Sequence, residues 1–153
     1  MRGPSPSPLR GRHFHCREWA LEKLRRCLDA RGDCNESRAS VGVLMTGGPG
    51  AGKTALSTET LWPQSDAGRA SGLAPRCLAW HFCQREDEGS VAVWRFVLSL
   101  VEQTRASPLL SPAYGHMLGS PDIAPTLEPL HCQRDPDDTF RRSSYVPFML
   151  LSF

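Results

Sequence analysis

The sequence lacks the features that mark membrane, secreted and zinc-binding proteins. No stretch approaches the roughly 18–20 consecutive apolar residues of a membrane-spanning helix. The N-terminal segment has no apolar run of signal-peptide length, and no Cys-x-x-Cys pair or other zinc-ligand spacing occurs among the 6 cysteines. We therefore expect no transmembrane segment and no zinc site, and we expect the cysteines to be reduced thiols of a cytoplasmic protein.

A concentration of charge of one sign is also missing. The 18 Lys and Arg nearly balance the 16 Asp and Glu, which gives a net charge of +2. Because nucleic-acid-binding domains show a concentrated basic face, this balance predicts no nucleic-acid partner. With 153 residues, of which 40% are hydrophobic and 22% charged, the chain has the composition of one globular domain.

Three segments of the chain differ in composition. Residues 1–12 are rich in Pro, Ser and Arg and cannot bury apolar surface, so we expect a disordered tail. Residues 13–142 have the periodic apolar pattern of a folded domain. Residues 143–153 form an uncharged apolar tail, in which Pro147 restricts any strand to an edge or a strand end.

Within the domain, the hydrophobic pattern predicts helices that alternate with short buried strands. The expected elements are helices over residues 16–31, 53–61 and 91–104 and strands over residues 41–46 and 77–83. This order implies an α/β fold in which helices flank a parallel sheet.

Capping residues and prolines indicate where the remaining elements end. Ser90 has the character of an N-cap for the helix over 91–104. Asp135 and Pro136 predict the start of a last helix that ends near Arg142. The polar segment after Pro63 and the proline-rich segment after Ser107 predict loops.

One motif carries chemistry, and it lies between the first expected strand and the following helix. It satisfies the pattern G-x-x-x-x-G-K-[ST] of a Walker A phosphate-binding loop, or P-loop. Its residues are Gly47, Gly48, Pro49, Gly50, Ala51, Gly52, Lys53 and Thr54. The motif also has its usual context, an apolar run before it and a helix after it.

The physical demands of phosphate binding explain each part of the motif. Glycines allow the backbone conformations that turn several N–H groups toward an anion. The helix that begins at the end of the loop adds unpaired N–H groups and the positive end of its dipole. Lys53 adds a full charge that reaches the β- and γ-phosphates, and the Thr54 hydroxyl can ligate Mg²⁺ through the bound nucleotide. The expected ligand is therefore ATP or GTP with Mg²⁺.

Three segments, HCREWALEKLRRCL, GVLMTGGPGAGKTAL and CLAWHFC, give the chain a family resemblance. At this spacing it resembles the STAND-type P-loop NTPase module of large ankyrin-repeat proteins, over residues 12–142. The resemblance implies a nucleotide-dependent switch within a scaffold for membrane trafficking, with protein partners, association with endosomes and self-association through a full-length relative. The resemblance also implies that Arg17 and Glu18 lie near the adenine pocket, whereas their position at the start of the first helix favours a solvated helix end.

The chain departs from that family at its end. No 33-residue ankyrin period occurs, and no acid-terminated strand supplies the Walker B carboxylates that hold Mg²⁺ and activate water. The acids at 86–88 are typical of a solvated turn, and those at 135–138 are typical of a helix N-terminus. The expectation is therefore the N-terminal half of a P-loop domain, a truncated form that binds nucleotide and hydrolyses it weakly or not at all.

Two other functions are compatible with these residues. The chain could be a truncated protein-interaction adaptor of an ankyrin-repeat scaffold with a vestigial P-loop, because an unpaired sheet edge and the apolar tail would favour partners. It could also be a small nucleotide kinase, although such enzymes need an arginine-rich lid and the chain offers only Arg141 and Arg142 near its end.

Overall fold

The computed structural model describes residues 7, 9–12, 14–29, 43–110 and 112–143, together with the backbone of the strand at 150–152. The described residues divide into two compact units. The first unit ends at Cys77, and the second begins at Leu78.

The described part of the first unit has three helices around one apolar cluster. The helices are α1 (Glu18–Asp29), α2 (Lys53–Leu61) and α3 (Asp66–Ala70), followed by a 3₁₀ turn at Ala74–Arg76. The α1 helix packs against α2 and α3 because its apolar residues recur on one face. The buried members of the cluster are Phe14, Leu21, Leu24, Leu56 and Leu73. This cluster holds the start of α2, and with it the end of the glycine-rich loop, against α1.

In the described residues, the second unit is a cluster of helices with two short strands. Its elements are β1 (Ala79–His81), α4 (Glu88–Val91), α5 (Val93–Ala106), α6 (Pro112–Leu118), a 3₁₀ turn at Ala124–Leu127, α7 (Pro129–Arg134), α8 (Pro136–Ser143) and β2 (Leu150–Ser152). The α5 helix contacts β1, α7 and α8. Its apolar face, which includes Val97 and Leu98, surrounds the fully buried Cys132 of α7. Burial raises the pKa of the Cys132 thiol.

The two strands of the second unit form a parallel pair. Ala79, Trp80 and His81 lie opposite Leu150, Leu151 and Ser152. The Trp80 backbone also bonds to the Gln103 side chain of α5. Its N–H donates to Oε1 at 3.1 Å, and its carbonyl accepts from Nε2 at 3.0 Å. The side-chain amide thereby supplies the donor and acceptor that a neighbouring strand would supply.

The predicted α/β fold with a parallel sheet is wrong, because the described residues are mostly helical. Residues 43–46, which fall in the strand predicted over 41–46, have no regular secondary structure, and the Leu44 side chain is 86% exposed. The strand predicted over 77–83 shortens to Ala79–His81. A short apolar run does not specify a strand by itself, since a strand also needs neighbours for its backbone groups.

Several predicted helix limits also change. Ser90 is not the N-cap, because it lies inside α4, and Asp87 caps that helix by accepting a hydrogen bond from Gly89 N–H at 3.0 Å. The helix predicted over 91–104 begins as a new element, α5, after a break at Ala92. The helix predicted over 16–31 covers Glu18–Asp29 in the described residues.

The two predicted loops contain helices that sequence periodicity misses. Ser65 accepts a hydrogen bond from Gly68 N–H at 2.9 Å and caps α3 within the first of them. In the second, Pro112 and Pro129 open α6 and α7, since proline is tolerated at the first helical position. The expected helices over 53–61 and from Pro136 are confirmed by α2 and α8.

The structure tests the expectations for the two tails and for a membrane span only in part. In the predicted tail over residues 1–12, Ser7 lies buried in the first unit. Residues 144–149, which include Pro147, lie outside the described residues. No helix in the described ranges is long and apolar enough to cross a bilayer.

Candidate functional site

The glycine-rich loop begins with a tight turn. The Ala51 N–H donates to the Gly48 carbonyl at 3.2 Å, so that Gly48, Pro49, Gly50 and Ala51 form one four-residue turn. Gly50 has φ 76°. Proline followed by a residue with positive φ is the arrangement of a type II turn, in which glycine avoids the strain that a side chain would bring.

The loop ends on Gly52, which begins α2. Gly52 has φ 83° and ψ 20°, a left-handed conformation, and its carbonyl accepts the first intrahelical hydrogen bond, from Leu56 N–H at 2.9 Å. No side chain in the described part of the chain caps this helix. The amides of Lys53, Thr54 and Ala55 precede that first bond, so they present N–H groups and the positive end of the helix dipole at the loop.

Lys53 folds back over the loop that precedes it. Its Nζ lies 2.6 Å from the Gly47 carbonyl oxygen and 3.1 Å from the Gly48 carbonyl oxygen. An ammonium group has three donors, so one remains for an anion after these two bonds. The ammonium is thus held beside the uncapped start of α2, and both features favour negative charge.

Arg17 brings a second cation to the same loop. It precedes α1, and its guanidinium donates a hydrogen bond to the Ala51 carbonyl. The guanidinium also lies against Gly52, where a Cβ atom would overlap it. The absence of a side chain at Gly52 therefore serves two purposes, the left-handed backbone and the approach of Arg17.

A cavity of about 310 Å³ lies between α1 and the loop. Among the residues that the structure describes, three cations line it, Arg17, Lys23 and Lys53, and none of the lining residues is acidic. The remaining lining side chains are mostly apolar: Trp19, Ala20, Leu24, Cys27, Val43, Leu44, Met45, Thr46, Ala51 and Leu56. The sequence contains only two lysines, at positions 23 and 53, and both line this cavity.

The structure brings together most, but not all, of the residues that the sequence indicated. Arg17 and the end of the loop line the cavity, whereas Glu18 is not among the lining residues. Thr54 is half-buried in the first turn of α2. Its carbonyl accepts a hydrogen bond from the Thr58 hydroxyl at 2.7 Å.

Sequence reasoning missed Lys23 and Cys27 as lining residues. Both fall within the helix predicted over residues 16–31, but the pattern gave neither a role in a site. The signal that would have found them is their spacing, since Trp19, Lys23 and Cys27 recur every four residues and so share one side of α1.

The acids considered as substitutes for a Walker B carboxylate have local structural roles. Asp87 caps α4, and Glu88 is the first residue of that helix. Asp135 Oδ1 accepts a hydrogen bond from Asp138 N–H at 2.9 Å at the start of α8. Arg142 and His131 beside Asp138 keep the pKa of that carboxyl below its usual range. These contacts confirm the helix-terminus role expected for the acids at 135–138.

The five cysteines in the described part of the chain are free thiols. Cys34 lies outside the described residues. No protein-family model, curated protein or solved structure matches this chain.

Proposed function

We propose that residues 47–54 bind the phosphates of a nucleoside triphosphate, ATP or GTP with Mg²⁺. The observation that supports this most is the position of Lys53, whose ammonium bonds to the Gly47 and Gly48 carbonyls. It therefore lies over the same turn of backbone that leads into the uncapped start of α2. A full charge and free helix amides directed at one small region are what an oxyanion needs.

The cavity beside the loop offers room for the rest of the nucleotide. Its volume of about 310 Å³ lies at the lower end of the ~300–1,000 Å³ typical of ligand sites. Apolar side chains with Trp19 among them suit a planar base, and the three cations suit a polyanion. The cavity and the loop share Ala51, Gly52 and Lys53, so one ligand would occupy both.

The chemistry proposed for this site is binding rather than turnover. The Thr54 hydroxyl is the group that would ligate Mg²⁺ carried by the nucleotide. Hydrolysis also needs a carboxylate that completes the metal shell and orients water. None of the described residues that line the cavity is acidic, so we expect weak hydrolysis or none.

A role as a nucleotide-dependent switch within a trafficking scaffold is a proposal from the STAND resemblance alone. The helical fold gives it no support, because the parallel sheet of that family is not among the described elements. Phosphate binding does not depend on that assignment, since it follows from the loop, Lys53 and α2 themselves.

Equilibrium binding tests the proposal. Fluorescent Mg-ATP and Mg-GTP would be titrated into the wild-type chain, Lys53→Ala and the control Arg141→Ala, which removes an exposed cation paired with Asp137 in α8. Loss of the Lys53 bonds to phosphate should weaken binding by about ten-fold or more, because a hydrogen bond to a charged group typically contributes that much to affinity. Arg141→Ala should bind as the wild type does. Equal affinities for wild type and Lys53→Ala would end the proposal, provided that circular dichroism shows both folded.

A further inference from the structure

An N-terminal turn packs on α2 through a buried pair of hydroxyl groups. We define this turn as Ser7 together with residues 9–12. Arg10 N–H donates to the Ser7 carbonyl at 3.1 Å, and Arg12 N–H donates to the Leu9 carbonyl at 3.1 Å. The Ser7 side chain contacts Thr58 of α2 by a hydrogen bond between the two hydroxyls. Ser7 is 4% exposed and Thr58 is 6% exposed, so neither hydroxyl can use water instead.

The direction of this hydrogen bond follows from counting protons. The Thr58 hydroxyl donates its only proton to the Thr54 carbonyl at 2.7 Å. The Ser7 hydroxyl must therefore be the donor to Thr58. Ser7 Oγ in turn accepts a hydrogen bond from Leu9 N–H at 3.2 Å. The result is a chain of three bonds, and the Ser7 proton makes the one that joins the turn to α2.

A second contact holds the turn beside the end of α2. The Arg10 guanidinium lies over the Trp62 ring, 5.0 Å from its centroid. A cation over an indole ring is attracted by the negative face of the ring. The turn is therefore attached at two points, Ser7 on Thr58 and Arg10 on Trp62, and only the first is buried.

We propose that Ser7 is a phosphorylation site and that the phosphate releases the N-terminal turn from α2. Ser7 is followed by Pro8 in the sequence, and a serine followed by proline is the minimal pattern that proline-directed protein kinases recognise. The proposal does not rest on nucleotide binding at residues 47–54.

The modification removes the one proton that the contact requires. The Ser7 oxygen attacks the γ-phosphorus of a nucleoside triphosphate held by the kinase, and a bond forms between them. The bond from that phosphorus to the bridging oxygen breaks, a nucleoside diphosphate leaves, and the hydroxyl proton passes to a carboxylate of the kinase. The phosphoserine oxygens at neutral pH are acceptors that carry about −1.5 to −2 charges.

Phosphoserine is incompatible with the buried site for two reasons. Its oxygens would face the Thr58 oxygen, whose proton is already donated to Thr54, so acceptor would meet acceptor. Its charge would also be buried in a site where no described cation contacts the Ser7 hydroxyl. The turn must therefore leave α2 for the phosphate to be solvated.

The test uses the full chain with Ser5→Ala, so that Ser7 is the one serine of the N-terminal Ser-Pro-Ser-Pro segment that can accept phosphate. It is treated with a proline-directed kinase and ATP, and mass spectrometry locates the phosphate. Trypsin cleavage after Arg10 and Arg12 then measures release of the turn, because a protease cuts a packed segment only when it opens. Thr58→Val, which keeps the shape but removes the acceptor, is the second variant, and Ser7→Ala is the unmodifiable control.

We expect phosphorylated Ser7 to speed cleavage after Arg10 at least five-fold. Thr58→Val should speed both cleavage and phosphorylation of Ser7 by about five-fold, the usual worth of one net hydrogen bond. Kinase treatment should leave cleavage of the Ser7→Ala chain unchanged. Two results would overturn the proposal. One is equal cleavage of the phosphorylated and unmodified chains. The other is the absence of phosphate at Ser7 in both the Ser5→Ala chain and its Thr58→Val variant.

Discussion

Lys53 Nζ lies 2.6 Å from the carbonyl oxygen of Gly47, six residues earlier in the chain. Loop carbonyls are the negative ends of peptide dipoles, so an anion that approached them alone would be repelled. The ammonium offsets that repulsion, since it bonds to the Gly47 and Gly48 carbonyls. Because the chain has one other lysine, Lys23, which lines the same cavity, the two amines can report separately on a bound ligand.

The first prediction concerns the reactivity of these two lysines. Mg-ATP or Mg-GTP should slow acylation of both by an amine-selective ester, because phosphates would engage Lys53 and the base would fill the cavity near Lys23. Inorganic triphosphate with Mg²⁺ should slow acylation of Lys53 more than that of Lys23. Mass spectrometry after a short pulse measures both sites, and the N-terminal amine is the internal control. Unchanged labelling of Lys53 by all three ligands would contradict phosphate binding at the loop.

The second prediction ranks three alanine substitutions in the loop by their cost in stability. Gly48→Ala should be nearly neutral, since a Cβ there meets no atom within 4 Å and the backbone is not left-handed. Gly50→Ala should cost about 1–2 kcal/mol, because open space surrounds it but φ is 76°. Gly52→Ala should cost more than Gly50→Ala, because the left-handed backbone is combined with overlap on Arg17.

Urea unfolding of the three variants measures this order. In the Arg17→Ala background, the extra cost of Gly52→Ala should fall toward that of Gly50→Ala, since the overlap is removed and only the backbone strain remains. Equal costs at Gly50 and Gly52 would contradict this order and would show that the overlap with the Arg17 guanidinium adds no cost in solution.

Local residue patterns predicted where two helices begin or end, but they did not predict which strands pair. The limits of α2 were predictable because Lys53 follows the loop and Pro63 lies just beyond Trp62. The start of α8 at Pro136 was predictable from one capping residue, Asp135. The predicted parallel sheet was wrong, because a strand depends on partners that no local pattern supplies.

Long-range hydrogen bonds from side chains to backbone groups could not be predicted from the sequence either. Gln103 lies within the helix predicted over 91–104, and its amide bonds to both backbone groups of Trp80, which lies 23 residues away. The contact of Arg17 with the Ala51 carbonyl joins residues 34 apart. Such contacts arise from tertiary packing, which decides what a surface polar residue does.

The third prediction tests the contact between Gln103 and β1. Gln103→Leu should destabilise the second unit by about 1–3 kcal/mol, because it leaves the Trp80 N–H and carbonyl without these partners. Gln103→Glu keeps an acceptor for the N–H but places a carboxylate against the carbonyl, so we expect a loss as well. Gln133→Leu, at an exposed position of α7, is the control. Urea unfolding measures the stability of the three variants. Equal unfolding midpoints for Gln103→Leu and Gln133→Leu would contradict the predicted role of Gln103.

The last prediction concerns the acid sensitivity of α1. Hydrogen bonds from Arg25 and Arg26, at 2.8 Å and 2.7 Å, lower the pKa of Glu22 from its ordinary 4.5 to about 2. A carboxyl whose pKa is lower in the folded state stabilises that state above its unfolded pKa. That contribution should be lost as pH falls from about 4.5 through about 2. Because the pair is on the surface, high salt should reduce it.

Carbon-detected NMR of the Glu22 carboxyl measures this pKa directly. Substituting Arg25→Ala should raise the Glu22 pKa more than Arg26→Ala does, since Arg25 makes two hydrogen bonds to this carboxylate and Arg26 makes one. Thermal unfolding between pH 5 and pH 2 should show a smaller loss of stability in Glu22→Gln than in the wild type, with Glu86→Gln, at an exposed turn, as the matched control. A Glu22 pKa that stays near 4.5 in the wild type would mean that the arginines do not bond to this carboxylate in solution. Any loss of stability between pH 5 and pH 2 would then come from another carboxyl group.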